Sequence, residues 1–216
     1  MKTEKLFSYG FLCIFVGIML SVFQQAVGIN AVLYYAPRIF QDMGMQNPMV
    51  QTVIMGVVNI SFTLVAVFTV EKLGRKPLLI WGSIGMAAGA FGVALTFGNP
   101  SLGTLTMLSI MVYSASFMFS WGPIAWVLIA ELFPNTIRGA AVAIAVAFQW
   151  VFNFIVSSTF VPMFNMHLTP GDDFGHWFTY GLYGVICIIA AVFVFKLVPE
   201  TKGKSLEDMS KLWRKE

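Results

Sequence analysis

Asp, Glu, Lys and Arg are missing from five long stretches of this chain: residues 6–37, 43–70, 77–130, 139–171 and 174–195. The shortest is 22 residues long and the longest is 54. About 20 consecutive apolar residues cross a bilayer as a helix, so four of these stretches hold one span each. The 54-residue stretch is too long for one span, and Gly98-Asn99-Pro100-Ser101 divides it with a turn signal. The reading is therefore an all-α membrane protein with six transmembrane helices, at 8–40, 48–70, 77–97, 102–132, 137–164 and 175–197. They must be helices, because a helix satisfies its own backbone groups in hydrocarbon. A transmembrane barrel would show short alternating segments instead. Composition agrees: 11% of residues are charged, where a soluble domain carries about a quarter.

The placement of Lys and Arg predicts orientation. Six spans put the N terminus, the 70–77 loop, the 132–138 loop and the C terminus on one side. That side holds 12 of the 13 basic residues, with Arg38 the exception, and is expected to be cytoplasmic. The expected location is the cell inner (plasma) membrane, multi-pass, with both termini cytoplasmic. The net charge of +3 reports topology and gives no sign of a nucleic-acid partner. Met1-Lys2 before an apolar run, with Ala26-Val27-Gly28 after it, imitate a signal peptide, but the run is too long for a signal core. Cys13 and Cys187 lie inside apolar runs and read as small packing residues.

Residues 1–199 read as one six-helix bundle and residues 200–216 as a cytoplasmic amphipathic tail. In the tail, Ser205 can cap a short helix whose apolar face carries Leu206, Met209 and Trp213. Within the bundle, the first and fourth spans are the long ones. Each carries helix breakers, Gly28 and Pro37 in the first and Gly122 and Pro123 in the fourth. Interrupted helices at matching positions of two three-helix repeats mark the binding site in many transporters.

Uncharged amides inside apolar runs need partners. The first span carries Gln24, Gln25 and Asn30, then Tyr34 and Tyr35; the second carries Asn59. Trp121 and Trp126 flank Gly122-Pro123 in the fourth span, and the fifth carries Gln149, Trp150 and Asn153. On a continuous helix Gln25 and Asn30 lie about 140° apart. A break near Gly28 lets both face one cavity. Taken singly, each amide reads as interhelical glue worth about 0.6 kcal/mol. Amides and indoles gathered on several spans suit a neutral sugar better, since an amide matches a hydroxyl as both donor and acceptor. Trp81 and Trp177, near span ends, read as interfacial anchors. No metal or haem ligand set occurs within the spans, no hydrolase triad is evident, no cofactor is implied, and the chain is not expected to be an enzyme.

At the basic side, Glu71-Lys72-Leu73-Gly74-Arg75-Lys76-Pro77 forms a tight loop. Glu131 sits at a helix C terminus, where the dipole opposes it, and should seek Arg138 or Arg75.

Five motifs occur in order: Gln24-Gln25-Ala-Val-Gly-Ile-Asn30-Ala-Val-Leu-Tyr34-Tyr35, Glu71-Lys-Leu-Gly-Arg75-Lys, Ser120-Trp-Gly-Pro-Ile-Ala-Trp126, Glu131-Leu-Phe-Pro-Asn-Thr-Ile-Arg138-Gly, and Pro199-Glu200-Thr-Lys-Gly203. Over nearly its whole length the chain resembles the C-terminal six-helix half of the sugar porter family of the major facilitator superfamily. That resemblance implies transport of a neutral monosaccharide, pentose or hexose, by alternating access. It implies that Gln24, Gln25, Asn30, Asn59, Gly122, Trp126, Gln149 and Trp150 line the sugar site and that Tyr34 gates it from outside. Arg75, Glu131 and Arg138 would form a cytoplasmic charge cluster, with Glu200 near it.

Family members have twelve spans, and the acidic residue tied to proton coupling lies in the half that has no counterpart here. The expected partners are the bilayer, a monosaccharide, and either an N-terminal-half polypeptide or a second copy. The alternative expectation is a truncated or non-transporting sugar-binding membrane subunit.

Overall fold

The computed structural model describes residues 11–42, 46–169, 173–204 and 213. Eight α-helices run through the described residues: α1 (Phe11–Ala26), α2 (Ile29–Asp42), α3 (Pro48–Leu73), α4 (Arg75–Thr96), α5 (Gly103–Phe119), α6 (Trp121–Leu132), α7 (Arg138–Phe164) and α8 (Phe174–Leu197). They build six membrane-capable spans, because α1 with α2 and α5 with α6 each form one interrupted span. Each lies within a few residues of its expected place. Of the amphipathic tail expected over 200–216, the described residues are 200–204 and Trp213, and the helix expected from Ser205 lies outside them apart from Trp213. That side chain is buried, and its indole Nε1 donates to the Leu132 carbonyl at 3.0 Å.

The breaks fall where the backbone demands them. Gly28 has φ +88°, a left-handed conformation that ends α1 and lets Ile29 begin α2. A Cβ on Gly28 would also stand 2.4 Å from the Tyr183 ring. The Tyr113 hydroxyl donates to the Val27 carbonyl and so satisfies a backbone group freed at the break. Pro37 does not interrupt the first span, contrary to expectation; α2 continues through it to Asp42. The second break is at Ser120, ahead of the Gly122-Pro123 pair expected to make it. Pro123 instead sits in the first turn of α6, where its missing N–H removes no helical bond.

Helix α4 packs chiefly against α8 and α5, and α1 against α7 and α6. The α4–α5 contact is close because Gly85 and Gly89 face Ser116 and Tyr113, and at the break that follows α5 a Cβ on Gly82 would lie 1.7 Å from the Ser120 hydroxyl. Trp121 is fully buried behind this contact and donates its indole N–H to Ser83 Oγ at 2.7 Å. Helices α3 and α7 bury only 17% and 28% of their apolar windows, while every other span buries at least 50%. Their outer faces therefore need lipid or another helical unit against them.

Candidate functional site

A cavity of about 420 Å³ opens beside the two helix breaks, within the ~300–1,000 Å³ range of small-molecule sites. Gln24 and Gln25 reach it from the end of α1, and Asn30 and Tyr34 from the start of α2. Gly122, Pro123 and Trp126 come from α6, and Gln149, Trp150 and Asn153 from α7. Thr63 of α3 and Phe117 and Met118 of α5 complete the lining. No charged side chain is among these residues.

The amides form two bonded groups at the cavity floor. Gln24 Nε2 donates to the carbonyls of Trp121 (3.0 Å) and Gly122 (3.2 Å), and Gln149 Nε2 donates to Gln24 Oε1. These bonds tie α1 to α6 and α7. Gln25 Oε1 accepts from Asn30 Nδ2 at 2.7 Å and from Asn153 Nδ2 at 2.9 Å. The turn at Gly28 is what brings Asn30 back to Gln25 across the angle that a straight helix would leave between them. Gln24, Gln25 and Gln149 are buried, whereas Tyr34, Trp126 and Trp150 are 59%, 45% and 63% exposed. The site is thus a bonded amide floor with aromatic side chains standing at its open face. Such an arrangement offers hydrogen bonds to hydroxyls and flat apolar surface to the C–H faces of a sugar ring.

Asn59 stands apart from the other residues expected to line the site. It does not border the cavity; its Oδ1 accepts from Ser114 Oγ at 2.6 Å, joining α3 to α5. Burial beside Ser114 uses it as interhelical glue. Asn153 borders the cavity although the resemblance did not single it out, and its place four residues after Gln149 on one helix face was the available signal. Thr63, Phe117 and Met118 gave none: nothing in an apolar run distinguishes the members that face a cavity.

At the basic end, Arg75 is 7% exposed and grips Glu131 with two bonds, Nη2 to Oε1 at 2.9 Å and Nε to Oε2 at 3.2 Å. The same Nη2 bonds Glu71 at 2.7 Å, and Thr201 Oγ1 donates to Glu131 Oε2 at 2.6 Å. Glu200 joins from the segment after α8, but through the backbone. Its carboxylate accepts the Arg75 and Lys76 N–H groups, both at 3.0 Å, at the N terminus of α4. Arg138 departs from the expected cluster. Its Nε and Nη2 bond the Phe133 carbonyl at 3.1 and 3.0 Å, a group left open just beyond the end of α6. Glu131 already holds Arg75 and Thr201, so the choice between Arg75 and Arg138 falls to Arg75.

The model of the family described as "Sugar (and other) transporter" matches residues 1–213. The chain belongs to this sugar transporter family. It is 48% identical to the D-xylose-proton symporter of Escherichia coli (strain K12) across 98% of this chain and 43% of that protein. It is 42% identical to the glucose facilitated diffusion protein of Zymomonas mobilis across 99% of this chain and 45% of that protein. Among solved structures, the major facilitator proton:xylose symporter XylE bound to 6-bromo-6-deoxy-D-glucose superposes with a TM-score of 0.84 at 49% identity. That match covers 93% of this chain and 42% of the other. The chain thus spans less than half the length of these relatives. Its fold is that of half a major facilitator transporter, and its relatives are transporters and not enzymes.

Proposed function

We propose that this six-helix unit forms one wall of a transmembrane path for a neutral monosaccharide, a pentose or hexose. In this reading Gln24, Gln25, Asn30, Gln149 and Asn153 form the polar floor. Trp126 and Trp150 cover the ring faces, and Tyr34 stands at the outer entrance. The single observation that carries it is the union of buried amides and exposed indoles around one uncharged cavity. A charged solute would need an opposite charge there to offset its desolvation.

Access alternates as this unit rocks against a second six-helix unit, either a separate N-terminal-half polypeptide or another copy. The thinly buried α3 and α7 support that reading, since they offer faces on which such a unit can rest. Arg75, Glu131, Glu71 and Glu200 hold the inner ends of α4 and α6 and the segment after α8 together until the unit opens inward. The excess of Lys and Arg at this end supports a cytoplasmic side for it, in the reading of an inner (plasma) membrane protein.

Uptake of labelled pentoses and hexoses into liposomes tests the proposal, with the chain alone and with a candidate complementary unit. Saturable uptake, competed by unlabelled sugar, is the expected result. No uptake in either case, with insertion verified, overturns transport. Sugar-dependent quenching of Trp126 or Trp150 without flux identifies a non-transporting sugar-binding subunit.

A further inference from the structure

The turn between α3 and α4 and the segment after α8 gather more cations than carboxylates. Lys72 lies in the last turn of α3, Arg75 and Lys76 begin α4, Lys196 lies in the last turn of α8, and Lys202 follows it. The carboxylates there are already engaged. Glu71 and Glu131 hold Arg75, and Glu200 accepts the backbone N–H groups of Arg75, Lys76 and Lys202. Lys202 Nζ donates to the Lys72 carbonyl at 2.7 Å. Among the described residues, neither Lys76 nor Lys196 has a carboxylate partner. Lys76 also stands in the first turn of α4, where the helix dipole disfavours a cation and favours an anion beside it.

A ring holds Lys76 in place. Its Nζ lies 5.8 Å from the centroid of Phe195, a residue 66% exposed on α8. Val185, Ile188, Val192 and Phe195 are all exposed and recur every three or four residues, so they form one apolar stripe along α8. The stripe ends at the Lys76 ammonium, with the exposed Lys196 next to Phe195 in the chain. Apolar surface that leads into two unpaired cations fits an amphiphile, with an acyl chain along the stripe and a negative headgroup at the lysines. A soluble anion would match the cations alone, and a zwitterionic headgroup would bring an ammonium against them.

We propose that Lys76, Lys196 and Phe195 form a binding site for an anionic phospholipid at the α4–α8 junction, in the leaflet on the basic side. The Phe195 ring keeps the Lys76 ammonium at the end of the apolar stripe, and both lysines take the headgroup phosphate. The inference is independent of what the cavity binds.

Native mass spectrometry of the full chain in detergent tests it, with dioleoylphosphatidylglycerol, dioleoylphosphatidylethanolamine and glycerol phosphate as probes. Phosphatidylglycerol should bind about tenfold more tightly than phosphatidylethanolamine, which has the same acyl chains, and glycerol phosphate should not compete. Lys76→Gln/Lys196→Gln should weaken phosphatidylglycerol about thirtyfold, from roughly fivefold per surface cation. Phe195→Leu should weaken it about threefold. Lys72→Gln/Lys204→Gln removes as much charge from the same end and should change the affinity by less than about twofold. Equal affinity for the two lipids overturns the inference. So does competition by glycerol phosphate, which would mark a site for soluble anions. An equal loss in the Lys72/Lys204 pair overturns it too, since the attraction would then be diffuse. Should Lys76→Gln/Lys196→Gln fail to fold, Lys196→Gln decides alone: about a fivefold loss supports the site, and an unchanged affinity overturns it.

Discussion

The amide floor and the basic-end cluster both fasten helices that are distant in sequence, and they do it with opposite chemistry. The floor links α1 to α6 and α7 with neutral groups, in the low-dielectric middle of the bundle. The basic end links α4 to α6 and to the segment after α8 with an arginine and three carboxylates, where Glu71 is 71% exposed and Glu131 30%. The difference follows desolvation. A charge at mid-membrane costs several kcal/mol unless paired, while a charge beside water costs much less. Neutral amides can also exchange one partner for a passing hydroxyl at little cost, which a buried ion pair cannot. In the proposed reading, binding belongs to the floor and cohesion to the basic end.

Arg75→Ala should break the cohesion arm hardest. It strips Glu131 of its two-bond partner and Glu71 of its ion pair, and the loss should be about 2–3 kcal/mol of stability, below the full buried-pair cost because Glu131 is partly exposed. Thermal unfolding of the purified protein in detergent measures it. Sugar affinity in the folded fraction should hold, and a parallel loss of affinity would merge the two regions that the account separates.

Next in size is Gly28→Ala, at about 2 kcal/mol. It adds left-handed strain and presses a Cβ on the Tyr183 ring. Because Gly28 sets the angle between Gln25 and Asn30, both unfolding temperature and sugar affinity should fall. Stability lost without affinity would mean that the break does not shape the floor.

Trp126→Ala should weaken monosaccharide binding by about tenfold, near 1.4 kcal/mol, with little change in unfolding temperature. Equilibrium binding by calorimetry reads this, and an unchanged affinity would remove the indole from the site.

The smallest effect sharpens the boundary between the regions. Asn59→Ala, which removes the Ser114 partner, should cost about 1 kcal/mol of stability and leave sugar affinity untouched. A loss of affinity would return Asn59 to the sugar site.

The spans were readable in the sequence because hydrocarbon excludes charge so strongly that charge-free length alone marks a helix. The convergence of Gln25 and Asn30 was readable as well, since it needs only a break at Gly28 and the helical repeat. Partner choice was not. Gln24 bonds Trp121 across 97 residues and Asn153 bonds Gln25 across 128, and no spacing rule reaches that far. For the same reason Asn59 and Asn153 looked alike as intramembrane amides, though one joins α3 to α5 and the other borders the cavity. Arg138 was misplaced because charge attraction is only one outlet for a guanidinium. An open carbonyl beyond a helix end is another, and Phe133 supplies it. Pro123 was taken for a breaker although a first-turn proline starts a helix as readily as it ends one.

Saturation binding of a neutral monosaccharide beside its uronic acid, read by intrinsic tryptophan fluorescence, puts the neutral-cavity claim to its sharpest trial. The account predicts saturable quenching by the neutral sugar that is lost in Trp126→Phe/Trp150→Phe, and none by the uronate. Equal binding of the charged sugar, or quenching that survives both substitutions, would contradict it.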